Sequence, residues 1–547
     1  MDEAPWIRQY PQGIPAMPKL SGTSASDMLA ESARRWPDRP ALTYEGQTLD
    51  YRTLDALVSR VAAGLQQFGV GPGIHVGLFV PNSPLYVLSF FGVLRAGGTV
   101  VNYSPLDALR TLEHKIADSQ TDLMIAADSE AFHAPMVGLL ETTRLHTLII
   151  GSPGTPGDRA DLPVEGPGIR AFSELLNTPD TLLAAAPVTD LSAIAVLQYT
   201  GGTTGLPKGA MLSQGNLSAA TDQLQTALRT TLEPGSERIM AVLPPFHIYA
   251  IMVNMMLGIR LGAQLYLHGQ FDPERVLADI ERHRITVFPA VPTMLSALLA
   301  HPRLADYDLR SLKLCNSGGA PLPVELQQQF QRAAGCSVKE GWGMTETTTV
   351  GTFTPAGMIS PPGACGVPVP GVRLKIIALD GSNAEQAYGE PGELCIAGPN
   401  VLQGYWNRPD ATEESMTPDG YFRTGDIAWI SDEGFVYIID RAKDMIICSG
   451  YNVYPRNIEE AIYEHPDVEE VLVIGIADSY RGQTPKAFVK LRSGAEPLSL
   501  ADLKEFLKPR LGKHEMVHAL ELRDALPRTP VGKLSKKELY AGEQTTP

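Results

Sequence analysis

Helical and strand signals alternate along most of this chain, and that alternation restricts the possible folds more than any other feature of the sequence. From Tyr51 to Phe68 apolar residues recur at helical spacing, and Gly69 stands where a C-terminal helix stop belongs. Gly71-Pro72-Gly73 then turns the chain into a short apolar strand, His75–Val80, which ends at the turn Pro81-Asn82-Ser83-Pro84. The next helix, Leu85–Leu94, stops at Gly97-Gly98 before the strand Thr99–Asn102. Helix Pro273–His283 followed by strand Thr286–Pro289 repeats the pattern, and Leu312–Cys315 reads as another buried strand. Such an order predicts parallel strands covered by helices, an α/β architecture. A chain of 547 residues exceeds one ordinary core, so two to four domains or subdomains are expected.

Residues 361–440 break the alternation. They are rich in Gly and Pro, with short strands at Arg373–Leu379, Gly392–Ala397 and Gly434–Asp440, which predicts a small β-subdomain. The charged stretch Arg441–Asp444 follows. Beyond it Pro455–His465, Glu470–Ile476, Lys486–Leu491 and Leu500–Leu511 form a compact α+β alternation. The expected division is therefore 1–442 and 443–547, with the boundary at Lys443.

Composition removes several classes. Apolar residues make up 44% and charged residues 19%, the profile of a soluble globular enzyme. Lys and Arg number 45 against 61 for Asp and Glu, a formal charge of −16, which argues against general binding of nucleic acid or anionic membranes. The five cysteines (Cys315, Cys336, Cys365, Cys395, Cys448) are odd in number and form no C-x-x-C pair, so reduced thiols in a cytoplasmic setting are expected. The start, Met-Asp-Glu-Ala-Pro-Trp, has no apolar run and does not read as a signal peptide. The longest apolar stretches, Leu85–Leu94 and Ala250–Ile259, reach about ten residues, whereas a membrane span needs roughly 20. Membrane contact would then be peripheral, and a homodimer stays open.

Chemistry enters at Thr200-Gly201-Gly202-Thr203-Thr204-Gly205-Leu206-Pro207-Lys208-Gly209, which follows the apolar run Leu191–Leu197. Glycines let a backbone approach phosphate closely, threonine hydroxyls can donate to its oxygens, and a lysine adds positive charge. A loose cluster of this composition would as readily be a polar surface turn. It is not a Walker A loop, because Pro207 precedes Lys208 and Gly209 follows it in place of Ser or Thr. The pattern instead resembles the phosphate loop of the adenylate-forming family, which includes acyl-CoA synthetases, firefly-type luciferases and peptide-synthetase adenylation domains. Gly201 stands where that family usually has Ser.

Further motifs follow in the order that family shows. Gly341-Trp342-Gly343-Met344-Thr345-Glu346 resembles G-Y-G-x-T-E, which implies an aromatic ring flanking adenine, a threonine on the α-phosphate and a glutamate on Mg²⁺. Asn316-Ser317-Gly318-Gly319-Ala320-Pro321 is similar to the adenine-side loop. Tyr421-Phe422-Arg423-Thr424-Gly425-Asp426 resembles Y-R-T-G-D, whose aspartate takes both ribose hydroxyls. Asp440-Arg441-Ala442-Lys443-Asp444 resembles G-R-x-K-[DE], with Asp440 in the place of Gly; there Arg441 would face ribose and phosphate and Lys443 would be the hinge. Pro527-Arg528-Thr529-Pro530-Val531-Gly532-Lys533 resembles P-x-[ST]-x-x-G-K, whose lysine holds the acid's carboxylate and the α-phosphate. Taken singly, Glu346 would be a surface carboxylate, Arg441–Asp444 a solvated linker and Lys533 an exposed lysine; the shared order reverses those readings. The resemblance runs from about Leu49 to Leu539.

The resemblance implies a large N-terminal domain of two α/β subdomains plus the β-subdomain, and a small mobile C-terminal domain. It implies ATP and Mg²⁺, and an acyl-adenylate formed first and then passed to a thiol. Ser449-Gly450-Tyr451-Asn452-Val453-Tyr454-Pro455 resembles the variant of bacterial fatty acyl-CoA synthetases, so coenzyme A is the implied acceptor, with Gly450 and Tyr451 as contacts. Leu243-Pro244-Pro245-Phe246-His247-Ile248-Tyr249 resembles P-x-[FY]-H, which places His247 at the acyl entrance. The uncharged Ala250–Met256 that follows disfavours a charged or amino-acid substrate. A medium- or long-chain fatty acid is the expected substrate, an aryl or arylpropenoic acid the alternative. An acyl-AMP ligase loading a carrier protein is a third reading, against which the loop at Ser449 counts.

Overall fold

The structure is a computed structural model and describes residues 4–154, 166–182, 190–200, 207–355, 357–358, 360–448, 451–478, 480–529 and 534–544. Two seven-stranded sheets dominate it. In the first, the strands run Ile169–Ala171, Thr147–Gly151, Leu123–Ala127, His75–Phe79, Thr99–Asn102, Ile194–Thr200 and Lys208–Ser213, all parallel until the last, which returns antiparallel. In the second they run Val338–Glu340, Leu314–Ser317, Val287–Ala290, Arg238–Ala241, Gln264–Leu267, Pro40–Tyr44 and Gln47–Asp50, again parallel up to a terminal hairpin. Every residue of His75–Phe79, Thr99–Asn102 and Val287–Ala290 is buried, because helices cover these parallel strands on both faces. The helices sit close to their sequence signals: Tyr51–Gln67, Pro84–Arg95 and Pro273–His283, the last capped by the Asp272 side chain.

A four-stranded antiparallel meander follows, Arg373–Ile377, Gly392–Ala397, Phe422–Ile430 and Val436–Arg441. Its longest strand, Phe422–Ile430, escaped the sequence reading, which took Tyr421–Asp426 for a motif only. A separate five-stranded sheet carries Tyr451–Val453, Ile446–Cys448, Gly482–Leu491 and Val468–Asp478, with Ala519–Leu522 alongside. Helices Pro455–Tyr463 and Leu500–Leu507 cover it. Its core (Ile446, Val453, Ile458, Ile462, Val473, Val489, Leu503) is a cluster separate from the large one that joins the two seven-stranded sheets. Among the described residues no helix is long and apolar enough to cross a membrane.

Topology already selects a site. The carboxyl ends of Thr99–Asn102 and Ile194–Thr200 in one sheet, and of Leu314–Ser317 and Val338–Glu340 in the other, open into one cavity of about 700 Å³. Crevices beyond the carboxyl ends of parallel strands are where α/β sheets bind ligands, because loops leave the sheet there with backbone groups unpaired.

Candidate active site

The phosphate-loop motif turns out to join two antiparallel strands, Ile194–Thr200 and Lys208–Ser213, with Thr200 opposite Lys208. A Walker loop instead runs from a strand into a helix. Gly201, Gly202, Thr203, Thr204 and Gly205 lie outside the described residues; Thr200 and Lys208, which flank them, line the cavity. The returning strand is joined by residues 404–406: Met211 N–H donates to Gly404 O at 2.9 Å and Trp406 N–H to Gly209 O at 2.8 Å. That pairing delivers Tyr405, which the sequence reading missed. Its ring lies 5.4 Å from Lys208 Nζ and its hydroxyl donates to Glu346 Oε1 at 2.9 Å.

Glu346 sits in a single 3-10 turn, Thr345–Thr347. Thr348 and Thr349 after it both take left-handed backbone, with φ of 49° and 77°, a strained conformation for threonine. Asn400, fully buried, holds it: its Nδ2 donates to Thr347 O and Val350 O, and Thr348 Oγ1 donates to Asn400 O at 2.7 Å. Gly343 is required by the same tight loop, since a Cβ there would lie 1.6 Å from Thr349 O. Burial pushes the Glu346 carboxyl up, opposed by the Tyr405 hydroxyl and the Arg441 charge.

Asp426 and Arg441 are cross-strand partners in the meander, so register alone brings them together. Arg441 Nε lies 2.6 Å from Asp426 Oδ1, and Trp342 Nε1 donates to Asp426 Oδ2 at 2.7 Å. Asp426 is 2% exposed and lies just beneath the cavity surface, whereas Trp342, Arg441 and Lys443 line it. Burial raises the Asp426 carboxyl, while Arg441 and the indole N–H favour its charged form; burial likewise lowers Lys443.

Gly318 and Gly319 line the cavity too, with Gly341, Gly343, Met344, Thr345 and His247; Ala320 and Pro321 stand outside that lining. The ring of Tyr249 packs on Gly318, where a Cβ would approach it to 2.9 Å, and its hydroxyl accepts from Asn316 Nδ2 at 2.6 Å. Asn316 Oδ1 and Ser317 Oγ are buried without a hydrogen-bond partner among the described residues. Beyond Tyr249 the lining turns apolar, with Leu224, Leu228, Phe246, Ile248 and Val253. Val253 belongs to a seven-residue π-helix, Ala250–Met256, a geometry that recurs at functional sites.

One predicted position falls elsewhere. Tyr451 is 61% exposed on a hairpin away from the cavity, its ring 5.2 Å from His514, and Gly450 lies outside the described residues. Lys533 also lies outside them, but Thr529, four positions earlier, lines the cavity.

A family model described as AMP-binding enzyme matches residues 29–406, and one described as AMP-binding enzyme C-terminal domain matches residues 457–533. The chain belongs to the AMP-binding enzyme family. The matches identify it as an adenylate-forming enzyme of the acyl-CoA synthetase class. A long-chain-fatty-acid–CoA ligase of Bacillus subtilis is 37% identical over 99% of this chain and 98% of its own length. A feruloyl-CoA synthase of an Amycolatopsis species is 34% identical over 93% of this chain and 96% of its own. Among solved structures, ATP-bound MatB from Rhodopseudomonas palustris superposes with a TM-score of 0.85 at 28% identity, covering 96% of this chain and 99% of that one. The apo form of the same protein superposes at 0.76 with the same coverage.

Proposed function

We propose that the chain is an ATP-dependent carboxylic acid–CoA ligase working in two steps through an acyl-adenylate. The observation that carries this reading is one cavity holding both halves of such a reaction. Lys208, Thr345, Glu346, Trp342, Arg441 and Lys443 line it together with the apolar Leu224, Leu228, Phe246, Ile248 and Val253. In the first step a carboxylate oxygen of the acid attacks the α-phosphorus of ATP, and the bond to the β-phosphate oxygen breaks to release pyrophosphate. In the second, the CoA thiol attacks the acyl carbon, loses its proton and expels AMP.

The residues divide accordingly. Residues 200–205 with Lys208 hold the triphosphate, and Thr345 the α-phosphate. Gly318 and Gly319 border the adenine, for which Asn316 Oδ1 and Ser317 Oγ are unengaged polar atoms among the described residues. Asp426 takes the ribose hydroxyls. Lys533 brings the two anions together, which is where preorganised positive charge lowers the barrier most. His247 borders the acyl entrance, and Gly450 and Tyr451 meet CoA. Glu346 fits Mg²⁺: it is a buried carboxylate with one oxygen on Tyr405. Among the described residues no group of three His, Cys, Asp or Glu could hold an ion alone, as suits a cation that shares its shell with phosphates and water. When bound, Mg²⁺ neutralises phosphate charge.

Residues 443–547 are read as a unit that turns about Lys443 between the steps. Their separate core supports this, as does the closer fit to the ATP-bound than to the apo form of MatB. A medium- or long-chain fatty acid is the first choice of substrate, supported by the apolar lining and the Bacillus relative. An aryl or arylpropenoic acid is the second, favoured by the feruloyl-CoA synthase relative. A cytoplasmic site of action completes the reading.

The test is pyrophosphate and AMP release across fatty, aryl and branched acids, with and without CoA. CoA-dependent AMP release with at least one acid is expected; none with any acid would end the ligase reading. Lys533→Ala should cripple pyrophosphate release while thioester formation from supplied acyl-AMP survives. Equal loss of both steps would remove Lys533 from its role.

A further inference from the structure

Trp342 stands where the sequence pattern asks for an aromatic ring beside adenine, but its edge is engaged as well as its face. Nε1 donates to Asp426 Oδ2 at 2.7 Å, while Arg441 Nε occupies Oδ1 at 2.6 Å. A carboxylate this enclosed must be met by donors or it gives up its charge. An ionised carboxylate offers about four acceptor positions, two on each oxygen. Among the described residues Trp342 and Arg441 take one on each, and the one left on each matches the two hydroxyls of a ribose cis-diol.

Both ends of this bond are anchored independently of any ligand. The Trp342 N–H donates to Thr352 Oγ1 at 2.9 Å, and its carbonyl accepts from the N–H groups of Gly351 at 3.0 Å and Thr352 at 2.8 Å. The indole lies on Gly351, where a Cβ would come within 2.4 Å of the ring. Asp426 is set by its strand and by its own N–H, which donates to Thr424 Oγ1 at 3.1 Å.

We infer that Trp342 is a positioning residue for Asp426, its indole N–H fixing the carboxylate in the orientation that accepts the ribose hydroxyls. This rests on the ribose role given to Asp426 above. A ring that only stacks would favour every adenine nucleotide equally. A ring that orients Asp426 acts only on nucleotides carrying the hydroxyls.

The experiment compares KM for ATP and for 2′,3′-dideoxy-ATP in pyrophosphate release by the wild type and Trp342→Phe. With two hydrogen bonds to a charged group at stake, the wild type should prefer ATP by about 100-fold. Trp342→Phe should raise the KM for ATP about tenfold and leave the dideoxy value within about twofold, so that the preference shrinks about tenfold. A parallel rise for both nucleotides would overturn the inference and leave Trp342 as an adenine platform. A wild type that accepts both equally would overturn the ribose role of Asp426 and this inference with it. Trp342→Tyr, which also lacks Nε1, carries the same comparison if Trp342→Phe does not fold. A second readout uses ¹⁵N-tryptophan-labelled wild type, whose five tryptophans give five indole N–H signals. One signal should shift further with AMP than with 2′,3′-dideoxy-AMP; equal shifts with both would also overturn the inference.

Discussion

The proposed ribose corner and the proposed acyl wall of the same cavity are built by opposite means. At the corner, polar groups from three segments interlock: Trp342 from the loop after one strand, Asp426 and Arg441 from neighbouring strands of the meander. At the acyl wall, Leu224, Leu228, Phe246 and Val253 present apolar surface. The corner is complete before any ligand arrives, so it can read a fixed chemical group. The wall has little directional chemistry, so its selectivity rests on shape and area.

The contrast can be broken at the corner first. Asp426→Ala removes both acceptors and leaves Arg441 without its partner, so kcat/KM for ATP should fall about 100-fold or more, while half-saturation by the acid stays put. Equal loss on both substrates, measured by pyrophosphate release, would show the two regions to be one unit. On the other side, Val253→Phe narrows the apolar lining. It should weaken the longest acids about tenfold and change the rank among chain lengths, with KM for ATP unmoved. Tyr405→Phe probes the link between Lys208 and Glu346. A rise of about fivefold in the Mg²⁺ concentration for half-maximal rate is expected, and a change confined to the acid would place Tyr405 elsewhere.

The smallest effect concerns stability. Burial pushes the Glu340 carboxyl from 4.5 up to about 7. Between those values the folded chain keeps a proton that the unfolded chain has lost, so stability falls as pH rises through that window. Glu340→Gln removes this slope. Its Tm should exceed that of the wild type by a few degrees at pH 8, on the order of 1 kcal/mol, and match it near pH 4.5. A difference independent of pH would assign Glu340 another role.

Much of this was legible in the residues. Gly69, Gly97 and the Pro81–Pro84 turn punctuate helices and strands locally, so Tyr51–Gln67, His75–Phe79 and Pro84–Arg95 fall within a residue or two of their signals. Strand Phe422–Ile430 was missed because its alternation of buried and half-buried positions is carried partly by Arg423, Thr424 and Asp426, polar residues whose burial depends on partners in other segments. Tyr405 was missed for a similar reason. Its one local signal is Gly404-Tyr405-Trp406, and its contact with Glu346 spans 59 positions.

The order and spacing of the motifs, together with the alternation of helix and strand, determined by themselves which family this chain belongs to and which residue types its site would need. Those are local properties, set by side-chain chemistry and backbone preference within a few positions. Only the tertiary structure decided that the phosphate loop closes an antiparallel hairpin, that Asp426 faces Arg441 across a strand pair, and that the indole of Trp342 reaches the same carboxylate from 84 positions away. Strand register and packing between distant segments arise from the competition of the whole chain for a buried core, and no local pattern encodes them.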